Sequence, residues 1–175
     1  KLEKLKNIEK IIKPKGKYNP FVITNNTELD SKQQDIVRSS FPILITGETG
    51  TGKEILYKTI LKVCGIPEDK HIELNCGAFS ENLIGSELFG HIKGAFTGAY
   101  DDKKGIVEIY KDGVIFLDEI NSLPISVQVK LLRFLDSGEY RKIGDTISHE
   151  SKARIIAAAN QSISQMVAEG SFRED

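Results

Sequence analysis

Hydrophobic positions along the chain change period several times, and each change marks an element. Leu2, Leu5, Ile8 and Ile12 recur on one face among lysines, which predicts a short helix ended by Pro14 and Gly16. Asn19-Pro20 marks a turn, and residues 28–40 read as a second helix. From Phe41 onward, short apolar runs alternate with helical stretches. The runs at 42–46, 71–75, 114–117 and 154–158 predict four strands. Between them Leu56, Ile60 and Val63 fall at i, i+4 and i+7, and so do Val127, Leu131 and Phe134. The second of these helices has Pro124 in its first turn and Gly138 as its stop. Such alternation predicts an α/β fold, a parallel sheet covered by helices on both faces. The expected organisation is a basic N-terminal helix and linker over residues 1–27 and one α/β domain over 28–175.

Composition narrows the class. The 175 residues are 39% hydrophobic and 28% charged, as in an ordinary soluble domain. A chain of this length buries about 70% of the surface its unfolded form exposes, enough for one core. No apolar run approaches the ~18 residues of a membrane span, so no membrane association is expected. The lysine-rich start lacks the apolar stretch of a signal peptide. Cys64 and Cys76 make neither a disulfide framework nor a zinc site, and a reduced, cytoplasmic compartment is expected. The net charge of −1 is uneven: residues 1–17 carry +5, which leaves −6 on the rest. An acidic domain lacks the basic patch that displaces counterions from DNA, so direct DNA binding is not expected.

Two motifs carry chemistry. Gly47-Glu48-Thr49-Gly50-Thr51-Gly52-Lys53 follows the first predicted strand and opens the first helix. Glycines at this spacing let backbone N–H groups turn toward phosphate oxygens, the helix N-terminus adds positive potential, and Lys53 reaches the β- and γ-phosphates. Glu54 stands where such loops usually place a Ser or Thr for Mg²⁺. The third apolar strand ends in Asp118-Glu119. Asp118 is suited to hold a hydrated Mg²⁺ and Glu119 to polarise an attacking water, which points to hydrolysis and not binding alone. Between the second and third strands, Gly94-Ala95-Phe96-Thr97-Gly98-Ala99 reads as a mobile loop. Its Phe96 either packs inward or is displayed at the tip as a contact.

From residue 42 to the end the chain resembles the central AAA+ ATPase domain of bacterial sigma-54-dependent transcription activators. The stretches that carry the resemblance are GETGTGKE (47–54), ELNCGAF (73–79), SELFGH (86–91), GAFTGA (94–99), GVIFLDEI (113–120), VQVKLLRFLDSGEYRKIG (127–144), RIIAAAN (154–160) and GSFRED (170–175). Glu54 after the loop lysine is usual in that family, and the resemblance counts it with residues 47–53 as nucleotide-binding. The resemblance implies a P-loop NTPase core of the AAA+ type, here without the C-terminal helical lid, that uses ATP and Mg²⁺. It implies that Gly94 to Ala99 contact sigma-54 RNA polymerase, with residues 140–150 as a second substrate-facing loop. It makes Asn75 the switch that restrains or releases Glu119, Asn160 the sensor, and Arg173 the first of two fingers offered to a neighbouring subunit. Self-assembly into a ring, hexamer or heptamer, follows from that trans arrangement. Ala159 stands where the family usually has Thr, Lys142 where it usually has Arg, and the usual Ser and Arg are missing between 64 and 70. The second finger, the lid, a receiver domain and a helix-turn-helix domain are expected to lie outside these residues. The leading expectation is therefore an ATPase that remodels sigma-54 polymerase when oligomerised. The alternative is a nucleotide-gated sigma-54-binding module with little turnover. A small-molecule kinase shares only the phosphate loop.

Overall fold

The computed structural model describes residues 21–23, 29 and 31–174, and the helix expected near the start lies outside them. In chain order the elements are β1 (Phe21–Ile23), α1 (Ser31–Arg38), β2 (Ile43–Thr46), α2 (Lys53–Cys64), β3 (His71–Asn75), α3 (Glu81–Phe89), β4 (Gly90–His91), β5 (Lys103–Lys104), α4 (Ile106–Ile109), β6 (Val114–Asp118), α5 (Ile125–Ser137), β7 (Glu139–Tyr140), β8 (His149–Glu150), β9 (Arg154–Ala159) and α6 (Ile163–Ala168). Five strands form one parallel sheet in the order β1-β2-β9-β6-β3. The four strands expected from the sequence are all present, within a residue at either end. Within this sheet the strand that pattern did not anticipate is β1, which adds to the β2 edge through Phe21↔Ile43 to Ile23↔Ile45, and the short pairs β4-β5 and β7-β8 were not anticipated either. Three residues carry too short a pattern to be read as a strand, and only the pairing defines them.

Alternation along the inner strands divides the core into two layers. Ile115 and Leu117 of β6, with Ile155, Ala157 and Ala159 of β9, face α3, α4 and α5, where Leu88, Phe89, Val107, Val127, Leu131 and Phe134 are buried. Val114 and Phe116, with Ile156 and Ala158, face α1 and α2, against Val37, Leu56, Tyr57, Ile60 and Leu61. Tyr57 stacks on Phe116 at 4.1 Å between centroids, which locks α2 over the middle of the sheet. Arg154 pins α1 to the start of β9: its Nε donates to Phe41 O at 2.9 Å and its Nη1 to Val37 O at 2.6 Å. Gly138 ends α5 in the left-handed region at φ 74°, with its N–H donating to Phe134 O, as the sequence predicts.

Candidate functional site

Parallel strands bring their carboxyl ends to one edge of the sheet, where open α/β folds place their ligands. The register aligns Thr46 with Ala159 and Asn75 with Asp118, so four loops leave the sheet side by side. The first is the phosphate-type loop. Gly47 N donates to Ala159 O at 3.2 Å, rooting the loop in β9 as well as β2. Gly50 and Gly52 lie at φ 81° and 88°, which exposes their neighbours' N–H groups without a side chain in the way. The first bond into the helix is Leu56 N to Gly52 O, so the N–H groups of Lys53, Glu54 and Ile55 emerge from the N-terminus of α2. Lys53 folds back over the loop, its Nζ donating to Gly47 O at 2.8 Å and Glu48 O at 3.0 Å. Thr51 Oγ1 donates to Glu48 O at 2.8 Å, while Glu48, Thr49 and Thr51 are exposed. Glu54 pairs outward with Lys58 at 2.6 Å.

Asp118 and Glu119 end β6 with different backbones. Asp118 Oδ1 accepts the N–H of Glu119 at 2.9 Å. Glu119 itself sits at φ 52° and ψ 45°, and among the described residues no other non-glycine has positive φ. Such a conformation costs of order 1 kcal/mol or more and persists where the surroundings enforce it. The reward lies on the neighbouring strand end. A Cβ at Gly77 would lie 2.5 Å from Glu119 Oε2 and 3.3 Å from Asn75 Oδ1, so glycine is what lets the carboxylate sit there. Asn75 Oδ1 accepts from Gly77 N at 2.8 Å, shaping that turn. Asn75, Asp118 and Glu119 thus lie together at adjacent strand ends, around Gly77. The Cys76 thiol between them is pushed up to about 12 by burial, with Asp118 and Glu119 adding to the effect, and stays neutral beside the carboxylates.

Asn160 follows β9, its backbone N donating to Asn121 Oδ1 at 3.3 Å, while its own Oδ1 is buried without a hydrogen-bond partner among the described residues. Ala159, the position without a hydroxyl, is fully buried. Sequence reasoning missed Asn121, which ties the turn after Glu119 to the end of β9. It also missed Gln128, a buried amide on α5 whose Oε1 accepts from Arg173 N at 3.0 Å. A polar residue beside Val127 offers no sequence signal that separates it from the solvated positions of an amphipathic helix. Arg173 lies after α6, exposed and held by its backbone to Gln128.

Residues 94–99 lie apart from this constellation. The segment forms a closed turn: Gly94 N donates to Ala99 O at 2.8 Å, Ala99 N to Phe96 O at 3.0 Å, and Lys93 N to Asp102 Oδ1 at 2.7 Å. Phe96 turns inward, meeting His91 edge to face at 4.9 Å, and Ser86 holds that ring through a 2.7 Å bond to Nδ1. Tyr100, next along, is the aromatic on display at 80% exposure. The base of the loop docks on the segment after β7, with Ile92 N to Ile143 O at 3.1 Å and Ile143 N to Gly90 O at 2.8 Å. In the same segment Lys142 pairs with Glu108 of α4 at 2.9 Å. Burial opposes the charged form of Glu108, but Lys142 and Lys104 outweigh it and hold its carboxyl below the usual carboxylate range.

The donor set fits a nucleotide with a magnesium ion. A helix N-terminus with a lysine accepts phosphate oxygens, and Asn160 brings an unpartnered buried polar atom to the same edge. No group of three His, Cys, Asp or Glu converges among the described residues. A site with only Asp118 and Glu119 suits Mg²⁺, which keeps its waters and takes substrate phosphates as ligands.

The family described as "Sigma-54 interaction domain" matches residues 23–175. The Sigma54-dependent transcriptional activator SfnR of Pseudomonas putida is 45% identical over 142 residues, covering 81% of this chain and 39% of SfnR. The anaerobic nitric oxide reductase transcription regulator NorR of Klebsiella pneumoniae is 44% identical over 145 residues, covering 82% of this chain and 28% of NorR. The chain therefore spans well under half the length of these curated relatives. Among solved structures, NtrX from Brucella abortus in complex with ATP superposes with a TM-score of 0.69 at 29% identity, covering 81% of this chain and 32% of that one. The NtrX complex with ADP gives a TM-score of 0.70 at 29% identity, covering 81% of this chain and 30% of that one.

Proposed function

The chain belongs to the Sigma-54 interaction domain family and has an AAA+ ATPase core, and on that premise we propose that it binds and hydrolyses ATP between subunits of a ring to remodel sigma-54 RNA polymerase. The observation that carries the reading is the strained Glu119, whose carboxylate is seated over Gly77 beside Asn75. A carboxylate in that place is a base restrained at the floor of a phosphate site. NtrX, whose structures hold ATP and ADP, supports a nucleotide as ligand of residues 47–53.

The roles follow from position. Gly47 to Gly52 cradle the phosphates with backbone N–H groups, and Lys53 leaves the carbonyls of Gly47 and Glu48 to meet the β- and γ-oxygens. Glu54, paired outward with Lys58, keeps negative charge off the phosphates. Bound Mg²⁺ supplies charge neutralisation at the phosphate oxygens. Asp118 holds its hydration shell, and Glu119 orients and deprotonates the attacking water once its side chain leaves Gly77. Asn160 reads the γ-phosphate by donating from its Nδ2–H, while its unpartnered Oδ1, an acceptor, is left for a water. Arg173, exposed, completes the neighbouring subunit's site. Residues 94–99 then move with the segment around Ile143 against sigma-54, because hydrolysis removes the phosphate that biases the switch.

Glu119→Gln separates the enzyme from a nucleotide-gated binding module. The expected result is ATP affinity within about 2-fold of the parent and turnover lower by about 100-fold or more, the typical worth of a positioned base. Unchanged turnover would leave Glu119 without the catalytic role.

A further inference from the structure

Gln128 is 5% exposed on the inner face of α5, yet it is an amide and not an aliphatic residue. Its Nε2 donates to Leu123 O at 2.8 Å and to Ser171 O at 3.2 Å, while its Oε1 accepts from Arg173 N at 3.0 Å. These partners lie 5, 43 and 45 residues away along the chain, and all are backbone groups outside helix and strand. We propose that Gln128 is a positioning residue that carries the state of a subunit's own Asp118-Glu119 turn to the arginine the same subunit offers its neighbour. The proposal rests on the reading of Arg173 as a finger acting in trans.

The physical link is short at each step. Glu119 opens a single 3₁₀ turn, in which Ser122 N donates to Glu119 O at 2.8 Å and Leu123 N to Ile120 O at 3.1 Å. The Leu123 carbonyl therefore moves with the Glu119 backbone, which is held in the left-handed region. Across from it, the planar amide fixes donor and acceptor relative to each other, so a shift at Leu123 is passed rigidly to Ser171 and Arg173. Ser171 N and Phe172 N both donate to Met166 O, and the partly buried Phe172 packs on the core. An apolar side chain of equal volume would fill the same space at lower desolvation cost. What the amide adds is a fixed relation between two backbone segments, one at the cis site and one leading to the trans site.

The test is turnover and ATP affinity of Gln128→Met and Gln128→Glu in the assembled protein, with Arg173→Ala beside them. Methionine keeps the volume and removes all three bonds, whereas glutamate keeps the acceptor for Arg173 N. The expected outcome for Gln128→Met is turnover lower by about 10- to 100-fold, as for a misplaced catalytic group, with ATP affinity within about 2-fold. Gln128→Glu falls between it and the parent. Mixing Gln128→Met with Glu119→Gln subunits, whose arginines are intact, should restore turnover above either alone, and mixing it with Arg173→Ala should not. Amide exchange at Arg173 should quicken about 10-fold in Gln128→Met while Leu131 keeps its protection. Parental turnover in Gln128→Met, loss that Glu119→Gln subunits do not restore, or equal loss of protection at Arg173 and Leu131 would overturn the proposal. Full turnover in Arg173→Ala would instead overturn the trans reading beneath it.

Discussion

The loop at 47–53 and the loop at 94–99 each carry two glycines in the left-handed region: Gly50 and Gly52 at 81° and 88°, Gly94 and Gly98 at 80° and 102°. At none of the four would a Cβ meet backbone within 4 Å, so all serve conformation and not close packing. The loops differ in what holds them. The first springs from the central strands, with Gly47 bonded to Ala159 and its far end continuing into α2. The second springs from a two-residue strand, closes on itself, and rests on Ile143 and Gly144. A loop rooted in the sheet keeps its N–H groups aimed at a ligand. A loop rooted in another loop can shift without breaking the sheet. The same glycine content thus sits in a loop anchored on the sheet in one place and in a loop anchored on another loop in the other, which is the contrast that the proposed roles of cradle and displaceable contact would use.

The contrast breaks most sharply at Lys53. Lys53→Ala should weaken ATP binding by about 10- to 100-fold in titration calorimetry, the worth of a charge-assisted bond, and leave the melting temperature unchanged. Loosening of residues 94–99 in that variant, read by hydrogen exchange, would dissolve the distinction between the loops. Gly144→Val acts on the other side. A Cβ there would lie 2.7 Å from Ala95 Cβ at a backbone φ of 81°, so about 1–3 kcal/mol of stability should be lost, with ATP affinity unchanged. Lys142→Ala should cost about 1 kcal/mol by leaving the partly buried Glu108 with Lys104 alone. Because the folded carboxyl of Glu108 is held below its ordinary value, this contribution is present at neutral pH and lost as pH falls through the lowered folded value. Melting curves of parent and Lys142→Ala should therefore begin to converge in the ordinary carboxylate range, about pH 4, and meet only below the lowered folded value. Phe96→Ala should cost little, about 0.5 kcal/mol in thermal melts, because the ring gives up one edge-on contact with His91.

What the sequence made legible follows from how local each feature is. The strand β3 (His71–Asn75) appears as read, and β2, β6 and β9 differ by one residue at an end, because buried parallel strands write continuous apolar runs. The Asp118-Glu119 pair was visible because a strand end and two carboxylates are adjacent in the chain. The seat of Glu119 over Gly77 was not, since it joins residues 42 positions apart through a backbone angle that pattern does not encode. Gln128 and Asn121 were invisible for the same reason: each acts on backbone groups brought near by folding. Phe96 left two readings open, and in the fold it is half-buried against the His91 ring, a contact 5 residues apart that pattern does not announce.

The most direct test of the shared-site account is the Mg²⁺-ATPase rate per subunit over a wide range of protein concentration, for the parent and for Arg173→Ala. The account predicts a per-subunit rate that climbs as subunits assemble and collapses in the variant. A rate independent of concentration and equal in the two proteins would contradict it.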